Sequence, residues 1–170
     1  VVTDPFDSSV IGYESLKLRA DILTVSHEAP GHSFASAVKG VSHVIDGPGE
    51  FEIGGVFLTG VQTDINGKKS ADRPRNTLYV FDYDGLNVAH LGDLKQVPSQ
   101  TEIEALGNVH IALVPVGGGQ ALNAAKAAEV VSLIEPNIVI PMHYATKAVK
   151  INLDQLGKFL KEMGLTSHET

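Results

Sequence analysis

The sequence contains no cysteine and no tryptophan, and its apolar runs are short. Without cysteine there can be no disulfide bridge and no thiolate metal ligand, which is typical of proteins from a reducing cytoplasm. No apolar run approaches the roughly 20 residues that a transmembrane helix needs, and no charged-then-apolar signal opens the chain. We therefore expect a soluble, cytoplasmic protein that does not insert into membranes.

Positive charge is also scarce, with 13 basic residues against 20 acidic ones and a formal net charge of −7. This balance disfavours a nucleic-acid surface, because such surfaces neutralise phosphates with lysine and arginine. The length of 170 residues and the 43% hydrophobic content suit one compact domain spanning residues 1–170. A small-molecule substrate is the expected partner, and assembly into a homo-oligomer stays open.

Strand-like segments dominate the first half of the sequence, and strands alternate with helices in the second half. Strands are predicted over 21–26, 51–61, 77–83, 86–90, 109–116 and 137–142, with hairpin turns at Gly54-Gly55 and Asp84-Gly85. Helices are predicted after the capping box Ser99/Glu102, from about Asn123 to Glu135, over 152–163 and, more weakly, over 32–39. This order predicts an α/β protein with at least one mixed sheet.

Histidine and aspartate follow three of the predicted strands. His27 and His32 come after strand 21–26, Asp93 after strand 86–90, and His143 after strand 137–142. In α/β folds, ligand sites form beyond the carboxyl ends of the strands. Imidazoles and a carboxylate make a ligand set for Zn²⁺, Fe²⁺ or Mn²⁺. Each residue alone could be an ordinary loop residue, but together they favour a shared metal site.

A second interpretation rests on the glycine run 117–119 and on the basic residues of loop 63–76, Lys68, Lys69, Arg73 and Arg75. Backbone N–H groups of such a glycine loop can hold phosphate. The run lacks the spacing of both common nucleotide-binding motifs, so a tight strand-to-helix turn is the simpler interpretation. The basic loop is expected to be a solvated face or a site for an anionic substrate.

The stretch 20–32, Ala-Asp-Ile-Leu-Thr-Val-Ser-His-Glu-Ala-Pro-Gly-His, resembles the strand and H-x-H-x-D-H loop of metallo-β-lactamase-fold hydrolases. More closely, the chain resembles the Zn-dependent hydrolases of the L-ascorbate-6-phosphate lactonase-like branch. The matching motifs are Asp4-Pro5-Phe6, 46–52, Arg75-Asn76-Thr77, His90-Leu91-Gly92-Asp93, 115–119 and 141–144. The resemblance implies a four-layer αββα sandwich with metals at one edge between the sheets.

This sequence departs from the family pattern in several places. Ala29 stands where the pattern has its second histidine, and Gly31 stands where it has aspartate. No histidine occurs near Thr63-Asp64-Ile65, where a further ligand is expected. The family's N-terminal hairpin, which carries a G-H-[SA] signature, also has no counterpart in this sequence. We therefore expect an uncovered sheet edge, through truncation or a partner that replaces the hairpin.

Of the two metal positions that the resemblance implies, the first keeps only His27 and Asp93, and the second keeps His32, Asp93 and His143. One zinc ion or none is expected, with Mn or Fe as alternatives. Asp93 and Glu28 are the candidate catalytic residues, because Glu28 is the carboxylate nearest to the lost aspartate. The predicted function is hydrolysis of an ester, lactone or phosphoester. The alternatives are a catalytically degenerate homologue with a binding or assembly role, and a phosphate- or nucleotide-binding module.

Overall fold

The computed structural model describes residues 1–63 and 76–165, in which short strands alternate with helices. The strands are β1 (Val2–Thr3), β2 (Leu18–Arg19), β3 (Ile22–Thr24), β4 (Val38–Lys39), β5 (His43–Ile45), β6 (Gly49–Ile53), β7 (Val56–Thr63), β8 (Asn76–Tyr83), β9 (Leu86–His90), β10 (Ile111–Pro115) and β11 (Ile138–Met142). The helices are α1 (Ser8–Ile11), α2 (Gln100–Leu106), α3 (Ala124–Ile134) and α4 (Leu156–Glu162), with a 3-10 turn at Ala35–Ala37. This composition confirms the α/β class.

The largest sheet of the described chain has six strands in the order β11-β10-β9-β8-β7-β6. Strands β6 to β9 pair antiparallel, whereas β9, β10 and β11 run parallel. A smaller parallel sheet has the order β1-β3-β5, and β2 pairs with β4. Because β9 and β11 point the same way on either side of β10, the turns that follow them open at the same edge of the sheet.

Strand β8 shows how the sequence builds two cores from one strand. Side chains alternate across a strand, so Leu78 and Val80 join the core beneath the helices while Tyr79 and Phe81 join the core between the two sheets. The hydroxyl of the fully buried Tyr79 donates to carbonyl oxygens of the smaller sheet, 3.0 Å from Val25 and 3.1 Å from Ile45. Tyr79 therefore joins the two sheets by both packing and hydrogen bonding.

The cores define the layers of the expected αββα sandwich. Helices α2, α3 and α4 cover the outer face of the six-stranded sheet, and a third apolar cluster lies on the smaller sheet. That third cluster contains Leu23 and Val25 with Val38, and Ala35 of the 3-10 turn packs against it. The outer layer on the smaller sheet is thus built from short elements. Within the described ranges, no helix is long and apolar enough to cross a bilayer.

The predicted helices that have a capping residue at their first turn, α2 and α3, begin where the sequence predicted. Ser99 and Glu102 form the capping box of α2, and Asn123 caps α3 by accepting from the Lys126 N–H. Helix α4 begins later than predicted, because Asp154 is held in an extended segment by backbone bonds to Gly117 and Ala145. The weak helix over 32–39 was wrong, since 38–39 pairs with β2 instead.

Candidate metal centre

Three turns bring the predicted ligands together at one edge of the sandwich. A nitrogen of His27, a nitrogen of His32 and an oxygen of Asp93 all lie within 4.8 Å of one another. Asp93 Oδ2 lies 3.6 Å from His27 Nε2, and Asp93 Oδ1 lies 3.9 Å from His143 Nδ1. The rings of His32 and His143 have centroids 5.6 Å apart. The carboxylate of Asp93 is therefore flanked by imidazoles on both of its oxygens.

The turn that carries Asp93 is fixed by its neighbours. Gly92 has a left-handed φ of 58°, and a Cβ at this position would collide with Ser26 and with the Asn76 side chain. The buried amide of Asn76 accepts from the Asp93 N–H at 2.9 Å and donates to the Leu91 carbonyl at 3.0 Å. Only glycine fits this turn, and Asn76 holds it from the start of β8.

His143 is positioned by an equally close backbone approach. It has a left-handed φ of 54°, which is uncommon for a residue other than glycine. A Cβ at Gly117 would collide with the His143 carbonyl, so the glycine lets the two loops pass each other. The Gly118 N–H donates to Leu122. The run 117–119 therefore serves as the tight turn that the simpler interpretation predicted.

Asp4, which belongs to the Asp4-Pro5-Phe6 motif, organises two of the histidines, a role that was not predicted from the sequence. Its Oδ2 accepts from His32 Nδ1 at 2.8 Å and from the Ser26 hydroxyl at 2.5 Å. Because that hydroxyl donates to Asp4, it can only accept at its 3.3 Å contact with His27 Nδ1. Both imidazoles then carry their proton on Nδ1, which leaves both Nε2 lone pairs free for a metal.

The electrostatics of the centre favour neutral imidazoles. Burial lowers the pKa of His27 and of His143, and in both cases the nearby Asp93 opposes the shift. Burial also lowers the pKa of His90, which accepts from the Gly92 N–H. Burial alone would raise the pKa of Asp4, but its hydrogen bond with His32 and the charges of His90 and His32 hold it below the usual value. Neutral imidazole is the form that ligates metals.

Two buried atoms of the centre lack the partners that such atoms normally have. Among the described residues, Asp93 Oδ1 and His143 Nδ1 have no hydrogen-bond partner. Leaving a buried polar atom unsatisfied costs about 1–3 kcal/mol, and more for a charged group. A divalent cation would satisfy both atoms at once, and carboxylate and imidazole are common zinc ligands. The residues present therefore fit one metal ion.

The ligands that lie together in the structure differ from the two groups that the family pattern implies. The family pattern assigns His27 to the first metal position and His32 to the second, yet both imidazoles face Asp93, and their ring centroids are 4.4 Å apart. His27 thus joins His32, Asp93 and His143 in one cluster. Asp64 and the basic loop residues Lys68, Lys69, Arg73 and Arg75 lie outside the described residues.

The cluster borders a cavity of about 500 Å³, which we call the metal-side cavity. Glu28 is exposed and lines it. Lys95 also lines it and extends its ammonium to 3.8 Å from Asp93 Oδ2. Sequence reasoning missed Lys95, although its position two residues after Asp93 was a usable signal. Lys95 therefore places a cation beside the candidate metal ligands.

Residues 1–143 match the family model of the β-lactamase superfamily domain. The chain belongs to the β-lactamase superfamily. It is 35% identical over 103 residues to a UPF0173 metal-dependent hydrolase of Pyrococcus horikoshii, a match over 58% of this chain and 44% of that protein. It is 33% identical over 117 residues to another from Pyrococcus abyssi, over 66% of this chain and 51% of that protein. The chain thus spans about half the length of these relatives.

Solved structures agree with this assignment. A candidate Zn-dependent hydrolase of the metallo-β-lactamase superfamily from Thermotoga maritima is 36% identical and superposes with a TM-score of 0.72, over 93% of this chain and 73% of that chain. A metallo hydrolase from Ignicoccus hospitalis, 18% identical, superposes with a TM-score of 0.63 over 85% and 72% of the two chains, which shows the shared fold alone. These likenesses confirm the fold that the motifs predicted. The single-domain boundary at 1–170 stays a prediction.

Proposed function

We propose that this chain is a metal-dependent hydrolase acting on an ester, lactone or phosphoester, with one metal ion held by Asp93, His32, His143 and His27. The observation that supports this most strongly is the pair of buried atoms, Asp93 Oδ1 and His143 Nδ1, which have no hydrogen-bond partner among the described residues and lie within a cluster of imidazoles. Zinc is the proposed metal, with manganese or iron as alternatives. The names of the Pyrococcus and Thermotoga relatives support metal dependence.

When bound, such a metal acidifies water and polarises a carbonyl or phosphoryl oxygen. In the neutral imidazoles of His32 and His27, Asp4 directs the proton to Nδ1, directly and through Ser26, so that Nε2 can bind the metal. In ester hydrolysis, water oxygen bonds to the carbonyl carbon, the bond to the alcohol oxygen breaks, and a proton passes to that oxygen. Glu28, at the wall of the metal-side cavity, is the proposed carrier of this proton. The Lys95 ammonium is suited to hold an anionic part of the substrate.

The experiment measures metal in protein purified without chelator, together with hydrolysis of 4-nitrophenyl acetate, a simple lactone and bis(4-nitrophenyl) phosphate. We expect close to one equivalent of metal, and hydrolysis of at least one substrate that chelation abolishes. His143→Ala should lose the metal, whereas His43→Ala, an exposed histidine of β5, should keep it. Less than about a tenth of an equivalent in the parent protein would contradict the proposal.

A specific observation favours one alternative, a homologue that binds metal or assembles without turnover. Ala29 and Gly31 lie at the wall of the metal-side cavity and offer no side-chain donor where the family pattern has histidine and aspartate. Loss of a catalytic proton acceptor commonly costs several kcal/mol of barrier, each ~1.4 kcal/mol being tenfold in rate. Full metal content with no hydrolysis of any of the three substrates would support this alternative instead.

The remaining parts of the proposal concern the setting of the protein. A net charge of −7 supports a small-molecule substrate over nucleic acid. Location in the cytoplasm, lack of a membrane partner and the oligomeric state remain expectations from the sequence. Size-exclusion chromatography with light scattering would determine whether copies of the chain associate.

A further inference from the structure

A second cavity, of about 380 Å³, adjoins the candidate metal centre, and we call it the apolar cavity. Its polar end is formed by Asp4, His32, His90 and His143. Apart from Thr3 and Thr146, most of its remaining walls are apolar or aromatic, with Phe6, Tyr13, Met142, Tyr144 and Val149 among them. The proposed chemistry leaves most of this space unexplained.

The apolar cavity and the metal-side cavity share a border. The residues that line both are Ile11, Gly31, His32, His143, Ile151 and Leu153. Gly31 is the important member, because a Cβ there would lie 3.2 Å from Ile11 Cδ1. Glycine at position 31 therefore allows Ile11 to pack closely at this border. The candidate metal ligands His32 and His143 line both cavities, so a molecule bound at the metal centre contacts the polar end of the apolar cavity.

Hydrogen bonds connect the two chain segments that form the walls of the apolar cavity. The Tyr13 hydroxyl and the Thr146 hydroxyl are hydrogen-bonded at 2.7 Å, and the Lys150 N–H donates to the Ile11 carbonyl at 2.8 Å. The rings of Phe6 and Tyr13 have centroids 5.7 Å apart and are tilted by 55°. The two hydrogen bonds join the segment after β1 to the segment after β11, and the ring contact lies within the first of these segments. A preformed cavity of this kind binds without the cost of ordering its walls.

We propose that the apolar cavity binds the acyl part of the substrate. The substrate class is then an ester or lactone of a carboxylic acid with a medium-length aliphatic chain or an aromatic ring. A cavity of about 150 Å³ accommodates benzene, so 380 Å³ has room for a chain of several methylenes. The inference rests on the proposed function for the reaction, but its binding component can be measured without turnover.

The test uses the straight-chain carboxylates from acetate to octanoate as probes of the complete chain. Their affinities are measured by calorimetry on zinc-loaded and on metal-free protein. Each methylene that enters the cavity should tighten binding by roughly fourfold, which corresponds to ~0.8 kcal/mol per buried CH₂. The gain in affinity per methylene should be present in both forms of the protein, because the methylenes contact the apolar walls and not the metal.

A pair of valine variants provides the control. Val149→Trp places an indole in the apolar cavity and should flatten the chain-length series. Val44→Trp makes the same substitution at an exposed residue of β5 that lines neither cavity, and it should keep the series intact. If Val149→Trp retains the full gain per methylene, the carboxylates bind elsewhere and the proposal is wrong.

A second measurement does not depend on the folding of a variant. The chain has two methionines, of which Met142 lines the apolar cavity and Met163 packs against the core beneath the helices. In protein labelled with ¹³C at the methionine methyls, octanoate should shift the Met142 signal and leave the Met163 signal in place. An unmoved Met142 signal at saturating octanoate would overturn the proposal.

The outcomes separate this inference from the proposed function. Hydrolysis of esters with no dependence on acyl length would leave the hydrolase intact and defeat the acyl-binding cavity. Chain-length-dependent binding in a protein that holds no metal would leave the cavity intact and defeat the hydrolase.

Discussion

The core beneath the helices and the polar cluster at the sheet edge lie at two places along the same strands, and they differ in how their buried atoms are satisfied. In the core, Val114, Leu122 and Val130 are fully buried among other apolar side chains. In the cluster, Asp93 Oδ1 and His143 Nδ1 are buried without partners among the described residues. The apolar core therefore stabilises the fold by burying side chains. The polar cluster instead contains buried atoms that could still bind a ligand.

The largest effect should come from a core substitution. Leu122→Ala removes a side chain with no exposed surface and should lower the free energy of unfolding by about 2–5 kcal/mol. Urea titration followed by circular dichroism measures this loss. The folded fraction should bind metal as the parent protein does, because Leu122 belongs to the apolar core beneath the helices. A loss of metal from the folded fraction would show that the two regions are coupled.

Metal addition should stabilise the parent protein through the cluster alone. Free zinc at about 100 times its Kd should raise the free energy of unfolding by about 2.7 kcal/mol. Thermal unfolding with and without zinc measures the rise. Asp93→Asn should abolish it. Without metal, this substitution weakens the charge contacts of Asp93 Oδ2 with His27 at 3.6 Å and with Lys95 at 3.8 Å, so the variant should stay within about 1 kcal/mol of the metal-free parent. A similar zinc-induced rise in Asp93→Asn would place the metal elsewhere.

Asp4 should matter to metal affinity more than to the fold. Asp4→Asn can still accept hydrogen bonds but no longer offers a charged acceptor to His32 and Ser26. Changes of this kind cost about 10- to 100-fold in metal affinity. Competition with a chromophoric chelator measures the affinity, and Asp7→Asn, on the nearby exposed turn that caps α1, serves as the matched control. Equal metal affinities in Asp4→Asn and Asp7→Asn would show that Asp4 does not support the metal centre.

The smallest effect concerns Tyr79 and alkaline pH. Burial raises the pKa of Tyr79 far above its usual value, so the folded protein keeps the phenol proton after the unfolded chain, with a pKa near 10, begins to lose it. Stability should therefore fall as pH rises above about 10, by up to ~1.4 kcal/mol per pH unit. Tyr79→Phe should remove most of this fall at a cost of about 1 kcal/mol at neutral pH. Tyr83→Phe, at a 42% exposed ring, is the control and should retain most of the fall.

The sequence predicted best those features that depend on neighbouring residues. The capping box of Ser99 and Glu102 and the hairpin turn at Asp84-Gly85 are local arrangements, and both are present. The approach of His27, His32, Asp93 and His143 was also predictable, since each follows a strand that ends at the same edge. The sequence did not predict that the rings of His27 and His32 lie beside each other, with centroids 4.4 Å apart, because the family pattern places them at separate metal positions.

The roles of Asp4 and Asn76 were not predictable in the same way. Asp4 reaches His32 across 28 positions, and Asn76 reaches Asp93 across 17. Nothing in the spacing of a short acidic or amide side chain reveals such a distant partner. Helix α4 starts later than predicted for the same reason. The Asp154 N–H donates to the carbonyl of Gly117, a residue distant in sequence, so residues 152–154 lie outside the helix.

The order in which the centre is assembled during synthesis follows from the positions of its parts along the chain. Asp4, Ser26, His27 and His32 leave the ribosome before Asp93 and can form their hydrogen bonds among themselves. Asp93 emerges later, and His143 later still, at about 5–20 residues per second. A nascent chain halted before position 143 would present a half-built cluster, so the full set of candidate ligands exists only once residue 143 has been translated.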